Sequence, residues 1–202
     1  MADEIELKFN VGDYNGLVRN IKSMAEYKGS AKELTVMYDN PERTLHKNDA
    51  RLRIRKIVDI KSDQERCELS YKKPKLKEGV KIEDENEVEV SSFNELESIL
   101  KKLGYSAVSS YERIRDTFMA DGCKITVDSF SFGDFLEIEG DMVKIKTLAI
   151  ALGFSLEKNI TKPYDDIYAD ACKLKGEKIS DNILLGDTLS EKINLRKVLD
   201  NR

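Results

Sequence analysis

The chain has one histidine, three cysteines and no long apolar run among its 202 residues. Each scarcity removes a class of chemistry. His46, alone in a stretch rich in Pro, Asn and Asp, cannot build a His-based triad or a classical zinc site. Cys67, Cys123 and Cys172 are odd in number and widely spaced, with no CxxC and no Cys/His cluster. They read as the reduced thiols of a cytoplasmic protein. No apolar run approaches the ~18 residues of a membrane span. The first residues enter directly into a strand pattern, which leaves no room for a signal peptide. A strong excess of either charge is also missing: 34 Lys+Arg stand against 38 Asp+Glu, for a net charge of −4. A nucleic-acid surface would be strongly basic. Any phosphate-binding function must therefore gather its basic residues in one place.

What the chain does have is charge, 36% of its residues against an average near ~25%, laid out with the period of a β-strand. In EIELKF, residues 4–9, Glu4, Glu6 and Lys8 share one face of a strand, and Ile5, Leu7 and Phe9 share the other. The alternation returns in RLRIR (51–55), ENEVEV (85–90), YERIR (111–115), KITVD (124–128) and FLEIE (135–139). The pattern predicts strands at about 3–9, 34–39, 50–58, 66–73, 85–91, 110–120, 122–130 and 133–140. Eight strands are the number that closes a small barrel able to hold one ligand.

Helical periodicity is predicted over 13–26, 93–103 and 142–152, and again after Pro163. The expected architecture is α+β: a closed eight-stranded antiparallel barrel with a charged interior, its aliphatic outer face covered by helices. Residues 1–175 would form this domain. Residues 176–202 would be a linker followed by a helix from about Thr188. Residues 73–86, charged and containing Pro and Gly, read as a mobile loop at one mouth.

By parity the charged face collects Lys8, Arg51, Arg53, Arg55, Lys72, Arg113, Arg115 and Lys124. The acids on it are Glu4, Glu6, Glu87, Glu89, Asp128, Glu137 and Glu139. Ions of both signs cannot face an empty core of low dielectric, because an unpaired buried ion costs several kcal/mol. A polyphosphate with a divalent cation satisfies both signs together. Arg and Lys take phosphate oxygens, and clustered carboxylates hold Mg²⁺ or Mn²⁺. Each motif alone also fits a solvated strand face. Glu83, Asp84 and Glu85 read as solvating acids, Lys61, Asp63, Glu65 and Arg66 as surface charge, and Tyr164 as helix packing.

EIELKF resembles the ExExK signature of the CYTH superfamily, the triphosphate tunnel metalloenzymes. That group includes class IV adenylyl cyclases, thiamine triphosphatases and inorganic triphosphatases. MYDNPERTLHKNDARLRIRK resembles the family's YYDTP…L…ALRIR segment, LSYKKPK its LTYKGP strand and ENEVEV its ExEVE strand. VDSFSFGDFLEIEG is similar to VD…GLGxFLEIE, and TKPYDDIY to KSYxxLL. The six motifs follow in the family's order over residues 4–170.

The resemblance implies a tunnel that binds a triphosphate end-on. Glu4, Glu6, Glu137 and Glu139 would ligate metal, with Asp128, Glu87 and Glu89 as further candidates. Lys8, Arg51, Arg53, Arg55, Lys72, Arg113, Arg115 and Lys124 would hold phosphate, and Lys162 would reach the tunnel end. Glu4, Glu6, Lys8 and Lys72 would act in catalysis. Met37 stands where a thiamine-specific site would carry a hydroxyl, which argues against that specificity. Pro163 replaces a Ser of the pattern, and Lys73 a Gly.

The leading expectation is a metal-dependent triphosphatase of the cytoplasm acting on a small molecule, with no nucleic-acid or membrane partner. The alternatives are a class IV adenylyl cyclase and a non-catalytic module that binds polyphosphate or nucleotide. Neither the oligomeric state, a homodimer included, nor the physiological substrate is fixed by these residues.

Overall fold

The computed structural model of the chain describes residues 3–77 and 80–186. Eight antiparallel strands build it: β1 (Asp3–Val11), β2 (Glu26–Asp39), β3 (Arg51–Asp59), β4 (Glu65–Lys77), β5 (Val80–Val90), β6 (Ser106–Ala120), β7 (Cys123–Phe130) and β8 (Gly133–Glu139). The helices are α1 (Tyr14–Met24), α2 (Thr44–Lys47), α3 (Phe93–Lys102), α4 (Met142–Ala151) and α5 (Tyr164–Lys175). Asp13, Ser92 and Asp141 cap α1, α3 and α4 by accepting from first-turn amides. Asp121 and Gly122 both take positive φ, 51° and 76°, as the tight turn between β6 and β7 requires.

The sheet is curled. Its order is β2-β3-β4-β5-β1-β8-β7-β6, and β2 pairs also with β6. The curl is not sealed along its length. β1 meets β5 over only four residue pairs, residues 3–6 against 81–84. Among the described residues, 85–90 of β5 have no strand partner on the side away from β4. The expected closed barrel is thus corrected to a curled sheet with an open seam. The cause is stagger: neighbouring strands are offset so far that β1 and β5 overlap only near one end. Where β5 no longer covers β1, residues 159–160 take over. The Ile160 amide donates to the Lys8 carbonyl (2.8 Å), and the Lys8 amide to Asn159 Oδ1 (2.9 Å).

Two expectations about elements change. β2 begins at Glu26 rather than residue 34, and residues 73–86, expected as a loop, belong mostly to the long β4 and β5. The helix expected from Thr188 lies outside the described residues. A feature the periodicity did not indicate is β9 (Asn182–Ile183). It lies parallel to β6 at Ser110 and Tyr111, on the stretch of β6 that β7 does not reach.

The apolar faces point outward and are covered by helices. Leu7, Phe9, Ile125, Leu136 and Ile138 pack under α1 and α4. Ile54, Tyr38 and Leu69 pack under Leu96 and Leu100 of α3. α5 lays Tyr164, Ile167 and Tyr168 against Phe130, Phe132 and Phe135 at one end of the curl. Burying aliphatics outside the sheet leaves its inner face to the charges.

Candidate functional site: a charged cavity through the curl

A cavity of about 650 Å³ fills the inside of the sheet. Of the residues singled out above, Glu6, Lys8, Arg51, Arg53, Arg55, Lys72, Glu87, Arg113, Arg115, Lys124, Glu137 and Glu139 line it. Strand parity alone brings them together from seven strands. The three cysteines are buried and unpaired, away from it.

At the α5 end the charges interlock. Asp128 is fully buried and accepts from Arg113 Nη1 (2.9 Å), Arg115 Nε and Nη2 (both 2.6 Å) and the Tyr164 hydroxyl (2.9 Å). Arg113 Nε also donates to Glu33 (2.8 Å), which lies 3.5 Å from Arg55 Nε. Arg115 reaches Glu137 (2.6 Å), and Glu137 pairs with Lys8 (3.2 Å). Lys8 Nζ sits 4.0 Å from the centre of the Tyr164 ring, a cation–π contact.

This network sets the acidities. Burial would raise the Glu33 carboxyl, but Arg113, Arg55 and Arg115 hold it far below the usual carboxylate range. Burial and Arg115 disfavour the Arg113 cation, yet Asp128 and Glu33 outweigh them and push its pKa up. Arg55 is lowered to about 10 by burial and by its neighbours Arg53 and Arg113. Burial, with Asp128 and Glu137 beside it, keeps the Tyr164 phenol protonated. Tyr111 moves the other way: against its burial, Arg55, Arg113 and Arg53 bring it down to about 8.

Away from Asp128 the charges pair locally rather than interlocking. Arg53 Nε donates to Ser70 (2.6 Å), while its Nη2 lies 3.4 Å from Glu85 and 3.8 Å from Glu87. Lys72 pairs with Glu85 (2.7 Å), and Lys124 with Glu139 (3.2 Å).

Three expected residues stand elsewhere. Lys162 turns outward to Asp170, so its reach to the tunnel end is corrected; only its backbone carbonyl meets Lys8 Nζ (3.3 Å). Glu89 is exposed and borders a separate hollow beside α3. Asp128 lies behind the cavity wall, with its oxygens already taken by guanidinium and phenol donors. The Glu4 side chain lies outside the described residues. Among the described residues, no three His, Cys, Asp or Glu side chains converge as a metal cluster.

Glu33, Glu85, Tyr111, Tyr164 and, at the mouth, Arg66 line the cavity although the charge pattern did not select them. Glu33 shares parity with Thr35 and Met37, a signal hidden only because β2 was begun too late. Met37 does line the cavity, while Tyr38 faces outward to Glu97.

With this geometry in view, comparison with known proteins identifies the class. The CYTH domain pattern matches residues 2–159, and the chain belongs to this family. A Methanocaldococcus jannaschii protein named "putative adenylate cyclase" is 27% identical over 139 residues, covering 67% of this chain and 75% of that protein. The solved PH1819 protein of Pyrococcus horikoshii superposes with a TM-score of 0.71 at 26% identity, covering 83% of this chain and 98% of that one. A Hippeastrum protein, named a "putative adenylyl cyclase" with a dominant triphosphatase activity, shares the fold. Its TM-score is 0.59 at 18% identity, over 88% of this chain and 98% of that one. Among the described residues no helix is long and apolar enough to cross a membrane.

Proposed function

We propose that this chain is a divalent-metal-dependent hydrolase of triphosphate-containing substrates, inorganic, nucleoside or thiamine triphosphate, held inside the cavity. The observation that carries the reading is the convergence of Lys8, Arg51, Arg53, Arg55, Lys72, Arg113, Arg115 and Lys124 on one enclosed space. So many cations around so small a volume suit a compact polyanion. The triphosphatase activity in the name of the Hippeastrum protein points the same way.

The donor set fits a hard cation. Glu6 lies directly across from Glu139 in the β1–β8 register, and Glu137 follows on the same face. All are oxygen donors, as Mg²⁺ or Mn²⁺ prefers; Glu87 faces the same cavity, and Glu4 precedes Glu6 at the same parity. Bound there, the ion would screen phosphate charge and acidify a water.

The chain's own residues do the rest. Arg51, Arg53 and Lys72 hold one end of the phosphate chain, and Lys8, Arg55, Arg113, Arg115 and Lys124 the remainder. Glu6 orients the attacking water and takes its proton as the new P–O bond forms. The bridging P–O bond breaks, and orthophosphate and diphosphate leave in the inorganic case. Lys8 and Lys72 face the charge that develops on the phosphoryl oxygens.

The test is incubation of the protein with inorganic triphosphate, ATP and thiamine triphosphate, each with Mg²⁺ or Mn²⁺. Expected is orthophosphate release that is lost with chelator and in Glu6→Gln. Cyclic AMP with stoichiometric pyrophosphate would instead make it a cyclase, the activity in the name of the M. jannaschii relative. Binding without any product would make it a sensor of polyphosphate.

A further inference from the structure

Tyr111 stands out among the cavity residues as a phenol where the charge pattern supplies only ions. It comes from β6, with Thr35 opposite on β2, and Thr35 in turn lies opposite Arg55 on β3. Arg55 Nε donates to Thr35 Oγ1 (3.2 Å), and the fully buried Thr35 hydroxyl hydrogen-bonds the Tyr111 oxygen. Arg55 thus occupies one lone pair of the Thr35 oxygen, and Tyr111 itself lines the cavity. The ring cannot swing away. It is wedged 5.8 Å from Phe130 and 6.5 Å from Tyr164, centre to centre, and Ile183 of β9 packs behind it.

We propose that the Tyr111 hydroxyl is a direct ligand of the phosphate chain, donating a hydrogen bond to an oxyanion held among Arg53, Arg55 and Arg113. The proposal rests on the triphosphate reading and adds to it a neutral, geometrically fixed donor. It also couples binding to a proton. The charged groups acting on Tyr111 are Arg53 and Arg55 from β3 and Arg113 from β6, with Tyr164 of α5 against its ring and Glu33 of β2 and Asp165 of α5 lining the same cavity. Against its burial, the three guanidinium groups bring the phenol down to about 8. A bound polyanion neutralises them and itself disfavours phenolate, so the phenol's pKa rises on binding and a proton is taken up at alkaline pH.

The chain has no tryptophan, so tyrosinate absorbance in the near ultraviolet reports this ionisation directly. One tyrosine of the wild type is expected to ionise with a midpoint of about 8, suppressed by inorganic triphosphate and absent in Tyr111→Phe. By calorimetry at neutral pH, Tyr111→Phe should bind inorganic triphosphate roughly 10- to 100-fold more weakly, the range for a hydrogen bond to a charged group. Wild-type affinity should fall by up to about tenfold per pH unit above the phenol midpoint, a fall the variant lacks.

Equal affinities with no effect of triphosphate on the titration would overturn the Tyr111 assignment and leave the triphosphate reading standing. Failure of the wild type to bind inorganic triphosphate, with or without Mg²⁺, would overturn both. Should Tyr111→Phe not fold, Thr35→Val keeps the β-branched shape and removes only the hydroxyl. It should raise the tyrosine midpoint and weaken binding; an unchanged titration and affinity there would also refute the proposal.

Discussion

The two sides of the cavity carry the same kinds of residue and use them differently. On the side of β6, β7, β8 and β1, Arg113, Arg115, Asp128, Glu137 and Lys8 interlock in one network centred on Asp128, which is 0% exposed. On the side of β3, β4 and β5, the Arg53 side chain is 14% exposed, and its partner Glu87 is 42% exposed. Connectivity separates the sides too: Asp128 takes three guanidinium contacts of 2.6–2.9 Å, whereas Arg53 reaches its glutamates only at 3.4 Å and 3.8 Å and Lys72 pairs with Glu85 at 2.7 Å. Strand alternation sends charges inward on both sides, and packing at the ends decides what they become. α5 closes over the first side with Tyr164, and residues 159–160 cover the β1 lip of the seam, whereas among the described residues 85–90 of β5 keep an unpaired edge on the second. The first set is a scaffold that fixes its ions against one another while Lys8, Arg113 and Arg115 still face the cavity, and the second can also exchange its internal partners for a ligand.

The largest effect should come from breaking the scaffold. Asp128→Asn leaves Arg113 and Arg115 without the buried carboxylate that compensates them. Removing one member of such a pair costs of order 3–5 kcal/mol, read as a lower urea midpoint at unchanged slope. A loss under about 1 kcal/mol would mean that water reaches these guanidinium groups and that the two sides are alike.

Glu33→Gln comes next and carries a pH signature. The Glu33 carboxyl is held below its ordinary pKa by Arg113, Arg55 and Arg115. Its stabilisation is therefore complete above the unfolded value near ~4.3 and is lost as pH falls toward the lower folded value. The stability gap between wild type and Glu33→Gln should be wide at neutral pH and should narrow in acid. Denaturant titrations at both pH values check this, and a gap that stays constant would contradict it.

The scaffold was also the less legible side. Parity placed Arg113, Arg115, Asp128, Glu137 and Lys8 on one face, because the aliphatics between them pin the register of each strand. It could not tell that Asp128 ends behind the wall, since period-two alternation carries no information about depth. Glu33 escaped because the first half of β2, EYKGSAKE, has no apolar alternation. That stretch is a strand only because β3 and β6 flank it, and Gly29, at φ 139°, sits at its irregular step. Glu85 escaped differently: it shares parity with Glu87 and Glu89, but it also falls in the 73–86 stretch that reads as a loop, and only its pairing opposite Lys72 of β4 turns it inward. Tyr111 and Tyr164 were invisible to a search for charge. The open seam and β9 depend on stagger between strands distant in sequence, which no single strand's residues encode.

On the looser side the expected balance reverses, with little stability at stake and much affinity. Arg53→Ala should change stability by no more than about 1 kcal/mol, the range of partly exposed ion pairs. It should weaken inorganic triphosphate binding at least about tenfold, because a charge-assisted contact to phosphate is lost. Calorimetry and denaturant titration on the same preparation give both numbers. A variant that loses stability but not affinity would put Arg53 with the scaffold.

The smallest effect is the most discriminating. Glu85 is the shared partner of Lys72 (2.7 Å) and Arg53 (3.4 Å), so a phosphate chain arriving at those cations competes with it. Glu85→Gln keeps the shape and removes the competitor. Stability should fall by no more than about 1 kcal/mol, since the pair is only partly exposed. Affinity for inorganic triphosphate measured without divalent metal should rise a few-fold, on the order of the ~1 kcal/mol at stake when a partly exposed pair is exchanged. If affinity falls instead, Glu85 is holding Lys72 and Arg53 in place rather than competing for them. The contrast between a fixed and an exchangeable side would then have to be redrawn, with Lys72 moved to the scaffold.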